Sequence, residues 1–142
     1  GRLERLAQQY RDDFGVDVGD IPGSGAAGGI AGMLAALGGK LVAGFDLVAD
    51  ELDLHDHVAS ADFVITGEGH LDAQSFEGKV VGGVADVCRE YGVRVAAIVG
   101  IADDDVRDRL PLRVLADEFG LERSLREPLW CIERAASALL TV

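Results

Sequence analysis

Two nearly continuous apolar runs, Ala61-Asp62-Phe63-Val64-Ile65-Thr66 and Val93 to Val99, constrain this chain more than any other feature. Neither alternates polar with apolar residues, so neither reads as a strand with one wet face. A strand buried on both faces is the mark of a parallel sheet covered by helices. Between the runs Phe76, Val80, Val84, Val87 and Tyr91 recur at helical spacing, and Gly92 follows as a stop. Strand, helix and strand in that order predict an α/β fold: a parallel-sheet, three-layer α/β/α lobe. Gly67-Glu68-Gly69 is expected to end the first strand and Gly100 the second.

The flanks fit the same plan. Leu3, Leu6, Ala7, Tyr10 and Phe14 predict an amphipathic first helix stopped by Gly15, with a short polar link from Val16 to Ile21. Ile30, Met33, Leu34 and Leu37 predict a second helix closed by Gly38-Gly39, and Lys40 to Ala43 reads as a short strand. Phe45, Val48, Ala49 and Leu52 give a further helix, and Leu54 to Ser60 one or two turns more. Leu112 to Leu115 is a short third strand. Pro128 suits the first turn of a last helix carrying Leu129, Ile132, Ala136 and Leu139. No internal repeat or linker is visible, so residues 1–142 are expected to form a single lobe.

A net charge of −12 argues against nucleic acid and anionic membranes as partners, since both require clustered Lys and Arg. It leaves room for a small anionic ligand in a local donor-rich pocket. No stretch approaches the roughly 20 apolar residues that cross a bilayer. Cys88 and Cys131 fall inside predicted helices and read as small buried hydrophobes in a reducing, cytoplasmic setting. Asp103-Asp104-Asp105 reads as a solvated run or a helix start rather than a metal site, and His55 and His57 as a solvated helix end. The chain opens on Gly1 rather than methionine and is expected to be a piece of something longer.

Two segments carry chemistry. Gly23-Ser24-Gly25-Ala26-Ala27-Gly28 matches G-x-G-x-x-G. A bare backbone before a helix can aim N–H groups at an anion. The same residues serve equally as a tight turn with close helix packing. A dinucleotide site needs a strand immediately before such a loop, and Val18-Gly19-Asp20-Ile21-Pro22 is too short and broken for one. No Gly-Lys-Ser/Thr follows, so it is not a Walker A loop either.

The second segment is Thr66-Gly67-Glu68-Gly69-His70-Leu71-Asp72-Ala73-Gln74-Ser75. It sits at the carboxyl end of a predicted parallel strand, where open α/β sheets place ligands. It gathers two carboxylates, an imidazole, an amide and two hydroxyls, with Lys79 just beyond to offset phosphate charge. Ser75 is a plausible N-cap. Each residue has a plainer use: Asp72 and Gln74 in satisfying turn donors, His70 and Lys79 as surface groups.

Taken together, Pro22 to Gly29, Ile65 to Gly69, Leu71 to Ser75 and Gly78-Lys79, with Gly44 to Val48 between, resemble the bacterial glycerate kinase family of the first type. The similarity runs from about Leu3 to Gly100 and more weakly beyond. The resemblance implies transfer of the γ-phosphate of ATP, with Mg2+, to D-glycerate, giving 2-phosphoglycerate, in the cleft of a two-domain enzyme. It implies catalytic roles for Asp72, Glu68 and Lys79, with Asp72 a candidate metal ligand. Substrate contacts would come from Gly23, Ser24, Gly25, Gly28, His70, Gln74 and Ser75. His70 departs from the family's usual arginine. The family's amino-terminal Asp-Ser-Phe-Lys-Gly-Ser segment is not in these residues, so this chain is expected to lack its partner half and to show little activity alone. Self-association through an exposed cleft face is a further expectation. A non-catalytic anion-binding module and a dinucleotide-binding oxidoreductase piece are the alternative readings.

Overall fold

A computed structural model describes residues 1–140. They divide into two compact units, one spanning Gly1–Ala43 and the other running from Gly44 onward.

The first unit begins with helix α1 (Arg2–Phe14), which ends as expected at Gly15 in the left-handed conformation, φ 71°. Leu6, Ala7 and Tyr10 are half-buried, and the Tyr10 hydroxyl donates to the Gly29 carbonyl at 3.3 Å. A tight turn at Ala26–Gly29 leads into helix α2 (Ile30–Ala36). Lys40 to Ala43 is irregular, not a strand. A strand needs a neighbour to complete its hydrogen bonds, and none of the described residues of this unit is in a strand.

The second unit opens with helices α3 (Gly44–Glu51) and α4 (Leu54–Ala59), then strand β1 (Phe63–Leu71). Helix α5 (Val80–Tyr91) is closed by Gly92, and strand β2 (Arg94–Ala102) follows. The short strand β3 (Leu112–Val114) leads to helices α6 (Leu115–Phe119), α7 (Leu121–Arg126) and α8 (Pro128–Leu140). The strands lie in the order β1-β2-β3 and both pairings are parallel. One face buries Val84, Val87 and Cys88 of α5 with Val58 of α4, against Val64 and Val95. Val81 continues that layer toward Leu71, Ala97, Val99 and Val114. On the opposite face Ile98 packs with Leu115, Cys131 and Ala135, flanked by Phe119 and Trp130. The fold is therefore the three-layer α/β arrangement expected, and both cysteines are buried free thiols within helices.

The strand ends differ from expectation. β1 does not stop at Gly67 but continues to Leu71, and β2 runs through Gly100 to Ala102. The glycines serve close approach rather than termination. A Cβ on Gly67 would stand 2.2 Å from the Ile98 carbonyl oxygen, and one on Gly100 would stand 2.5 Å from that of Gly69. Only glycine lets the two backbones lie this near each other. Helices α6 and α7, five and six residues long, are too short for a helical period to show in sequence.

Candidate functional site

Leu71 pairs with Ala102 at the carboxyl ends of β1 and β2. The next residue in each chain segment is an aspartate, Asp72 and Asp103. The parallel register thus sets two carboxylates at equivalent positions on the carboxyl edge of the sheet, where open α/β sheets place ligands. The Asp103 N–H donates to the Leu71 carbonyl at 3.0 Å, joining the two exits.

Ser75 is not the N-cap of α5, a place held by Lys79; the residue whose side chain caps is Asp72, at the turn before that helix. It stands before the turn Ala73–Phe76, and its Oδ1 accepts from the Ser75 N–H at 3.0 Å. The Ser75 hydroxyl donates to the same Oδ1 at 3.2 Å and lies 3.0 Å from the Asp72 N–H. Ser75 is 0% exposed, so its hydroxyl supports Asp72 from inside the protein. Desolvation alone would raise the Asp72 pKa. The Ser75 hydrogen bonds, the Lys79 charge and the Gln74 N–H outweigh it and hold the carboxyl below its ordinary value. Lys79 is the N-cap residue of α5, and its Nζ donates to Gln74 Oε1 at 3.4 Å. Asp72, Gln74, Ser75 and Lys79 therefore form one connected group, with an ionised carboxylate beside a cation and a helix N-terminus.

His70 belongs to a neighbouring pair. Its Nε2 lies 2.8 Å from Asp103 Oδ1, and both side chains are about half exposed. The hydrogen bond to Asp103 raises the imidazole pKa against desolvation, helped by the charges of Asp103, Asp72 and Glu68. Asp103 is a further candidate: the acidic run is solvated and starts a short helix as expected, with Asp103 53% exposed and at its N-cap, yet Asp103 is also the partner of His70. Its signal was available: an acid directly after each of the two apolar strands.

Glu68 is placed differently. It lines an open cleft of about 710 Å³ on the sheet, whose other walls include Ile65, Ile98, Ile101, Leu125 and Ile132. Asp72, Gln74 and Lys79 are not among those walls. Glu68 Oε1 is buried with no hydrogen-bond partner. A carboxylate oxygen left so in an apolar wall is a costly arrangement that a ligand donor would relieve.

The glycine loop lies in the first unit. Ala27, Gly28 and Gly29 have φ of 51°, 69° and 100°, following Gly25 in the right-handed helical region. The Gly29 N–H is used inside the turn, donating to the Gly25 carbonyl at 3.2 Å. A non-glycine residue at positive φ is strained, and such strain gathers at functional sites. Ser24 and Ala26 use their N–H groups within the loop, donating to Ile21 and Gly23, while the Ser24 carbonyl accepts from Gly32. No strand precedes this loop, which removes the setting a dinucleotide fingerprint requires.

A parallel α/β sheet with capped, charged loops at the carboxyl ends of its strands defines the class: an α/β domain of the open-sheet type. The particular family follows from comparison. The sequence profile of the glycerate kinase family matches residues 1–140, and the chain belongs to that family. Relatives include a glycerate kinase of Halalkalibacterium halodurans, 46% identical over 100 residues, covering 70% of this chain and 26% of the relative. Glycerate 2-kinase of Escherichia coli is 44% identical over 105 residues, covering 73% and 28%. A crystal structure described as putative glycerate kinase 2 from Salmonella typhimurium superposes with TM-score 0.53 at 43% identity, over 69% of this chain and 26% of that one. This chain thus spans about a quarter of the length of these relatives.

Proposed function

We propose that this chain supplies part of an ATP-dependent kinase that phosphorylates D-glycerate to 2-phosphoglycerate, the remaining part coming from the amino-terminal portion that its relatives carry. The observation behind this reading is the connected group at the end of β1. There a carboxylate held ionised by Ser75 stands beside Lys79 at the start of α5. Phosphoryl transfer needs little covalent help from protein groups; it needs positioning and charge stabilisation. Asp72 would orient the acceptor or its counter-ion, and Lys79 would offset phosphate charge. His70, Gln74 and Glu68 would contact glycerate or phosphate. Gly23, Ser24, Gly25 and Gly28 would receive an anionic group on the backbone, and Ser75 would act by fixing Asp72.

Magnesium fits this donor set only as an ion shared with nucleotide phosphates. Among the described residues no three His, Cys, Asp or Glu side chains converge on one point, and Mg2+ commonly takes one or two carboxylates with the rest from phosphate and water. Asp72 is the residue that would hold it; the ion would neutralise charge on the transferring group. A cytoplasmic setting is part of the same proposal, resting on ATP as the donor and on two free thiols.

The test uses this chain joined behind the amino-terminal portion of the Escherichia coli relative. That chimera should convert D-glycerate and ATP to phosphoglycerate and ADP. Asp72→Asn should lower kcat at least about tenfold, a barrier rise of roughly 1.4 kcal/mol. Turnover at the unmutated rate would remove Asp72 from the mechanism.

A further inference from the structure

A second cavity, of about 550 Å³, lies at the amino-terminal edge of the sheet, opposite Asp72 and Asp103. Arg94 opens β2 there and pairs in register with Phe63, which opens β1. Both strands run nine residues from this edge to the carboxylate edge, which sets the two edges roughly 25 Å apart at about 3.3 Å per residue. The other walls come from Ala85 and Arg89 of α5, the link Arg109-Leu110-Pro111 before β3, and Leu139 of α8. β1 gives only Phe63, so the cavity belongs to β2, α5, α8 and the β3 side of the sheet.

Its lining joins two chemistries. Arg89, Arg94 and Arg109 line it and no acidic residue does, in a chain with 25 Asp and Glu against 13 Lys and Arg. Arg89 is paired with Asp86. Arg94 and Arg109 form no ion pair among the described residues. Each guanidinium lies instead over an aromatic ring, Arg94 5.5 Å from the Phe63 centroid and Arg109 4.7 Å from that of Phe76. A cation held over a ring is positioned without a carboxylate to neutralise it, so its fork of N–H donors stays available to an anion. Val93, Val95, Leu110, Pro111 and Leu139 make the rest of the wall apolar. Concave sites of this size, mostly apolar with a few convergent polar groups, suit small molecules.

We propose that this cavity binds a small organic anion, a carboxylate or phosphate carried on an apolar body, with Arg94 and Arg109 holding the charge and the wall of valine, leucine and proline holding the body. The site is separate from the carboxylate edge and does not rest on the family reading. The test is a backbone-amide NMR titration of residues 1–142 with three probes: phenyl phosphate, inorganic phosphate and benzyl alcohol. Phenyl phosphate should shift the amides of Arg94, Val95, Ala96, Arg109 and Leu110, and should bind more tightly than either other probe. No shift, or shifts confined to residues 67–79, would overturn the proposal. Benzyl alcohol binding as tightly as phenyl phosphate would show that the arginines add nothing. Inorganic phosphate doing so would show the same of the apolar walls, and either result sinks the ligand class named. Arg94→Gln and Arg109→Gln should each weaken phenyl phosphate at least about fivefold. Arg134→Gln, at a guanidinium over Trp130 rather than in the cavity, should leave its affinity unchanged. Equal affinity across the three variants is a refutation, with unshifted Ile98 and Val99 amides showing that each variant is folded. The same titration on the chimera described above separates this site from the kinase proposal: binding should persist whether or not glycerate is turned over. Loss of binding in a folded chimera would mean that the added chain fills the cavity, and the proposal would fall.

Discussion

The two units differ in how much of their own stability they contain. From Gly44 onward, three apolar clusters pack against the two faces of the sheet, even though Leu125 and Leu129 beside the open cleft stay 72% and 81% exposed. In Gly1–Ala43 only Val18, Gly29 and Gly32 are buried, while on α2 and just after it Ile30 is 60% exposed and Leu37 59%. Burying an aliphatic side chain contributes about 1.5–3 kcal/mol, and ordering each residue costs about 1–2 kcal/mol. The first unit forgoes most of that contribution. A sheet with helices on both sides makes its own interior; two helices around a glycine loop do not.

The bluntest way to break this contrast is to separate the units. A chain of residues 44–142 should show one cooperative thermal transition by circular dichroism. A peptide of residues 1–43 should show none. A cooperative transition in the short peptide would mean that its exposed helix faces are not the liability described.

The next effect lies inside the stable unit. Gly67→Ala drives a Cβ toward the Ile98 carbonyl, which neither backbone can yield without giving up ladder hydrogen bonds. The expected loss is about 3 kcal/mol or more in urea denaturation, at the upper end for overpacking. An effect under about 1 kcal/mol would show that β1 and β2 are looser than the register implies.

Much of this architecture was legible in the residues. The apolar runs gave the parallel sheet, and Gly15, Gly92 and Pro128 marked helix limits that the structure keeps. The strand ends were not legible, because a glycine permitting close approach and a glycine ending a strand are the same letter. Ser75 looked like a cap because it precedes the apolar pattern of α5; a buried hydroxyl returning to Asp72 is a tertiary fact. Asp103 is solvated as the acidic run implies, but its pairing with His70 was hidden because the two are distant in sequence and near only through the β1–β2 register. The cleft around Glu68 depends on α7, which carries too few residues to leave a pattern.

A smaller change sharpens the comparison from the weaker unit. Ala27 holds φ 51° between residues that include two left-handed glycines. For a residue with a Cβ this conformation costs roughly 1–2 kcal/mol. Ala27→Gly removes that strain but frees the unfolded chain, so a net gain of about 0.5 kcal/mol is expected. The readout is the urea midpoint of residues 1–142, compared with Gly28→Ala, which should move it the other way. If both substitutions destabilise, the left-handed run is not where the first unit stores strain.

The smallest effect belongs to the exposed His70–Asp103 pair, and its value is in its sign. The folded-state pKa of His70 is raised, so the stability this pair contributes is fully present below the ordinary histidine value of 6.5 and fades as pH rises through the higher folded value. Asp72 runs the opposite way. Its folded pKa is lowered, so its contribution is present above the ordinary aspartate value and is lost as pH falls through the depressed one. Between those two limits both charges stand together at the sheet edge, and an anionic substrate would meet an imidazolium and a carboxylate side by side. Proton NMR of the His70 ring gives the check. Asp103→Asn should lower the His70 titration midpoint, because the variant keeps a hydrogen-bond acceptor but loses the charge that favours the imidazolium. An unchanged midpoint would mean that solvent screens the pair completely and that His70 reaches the site without guidance from β2.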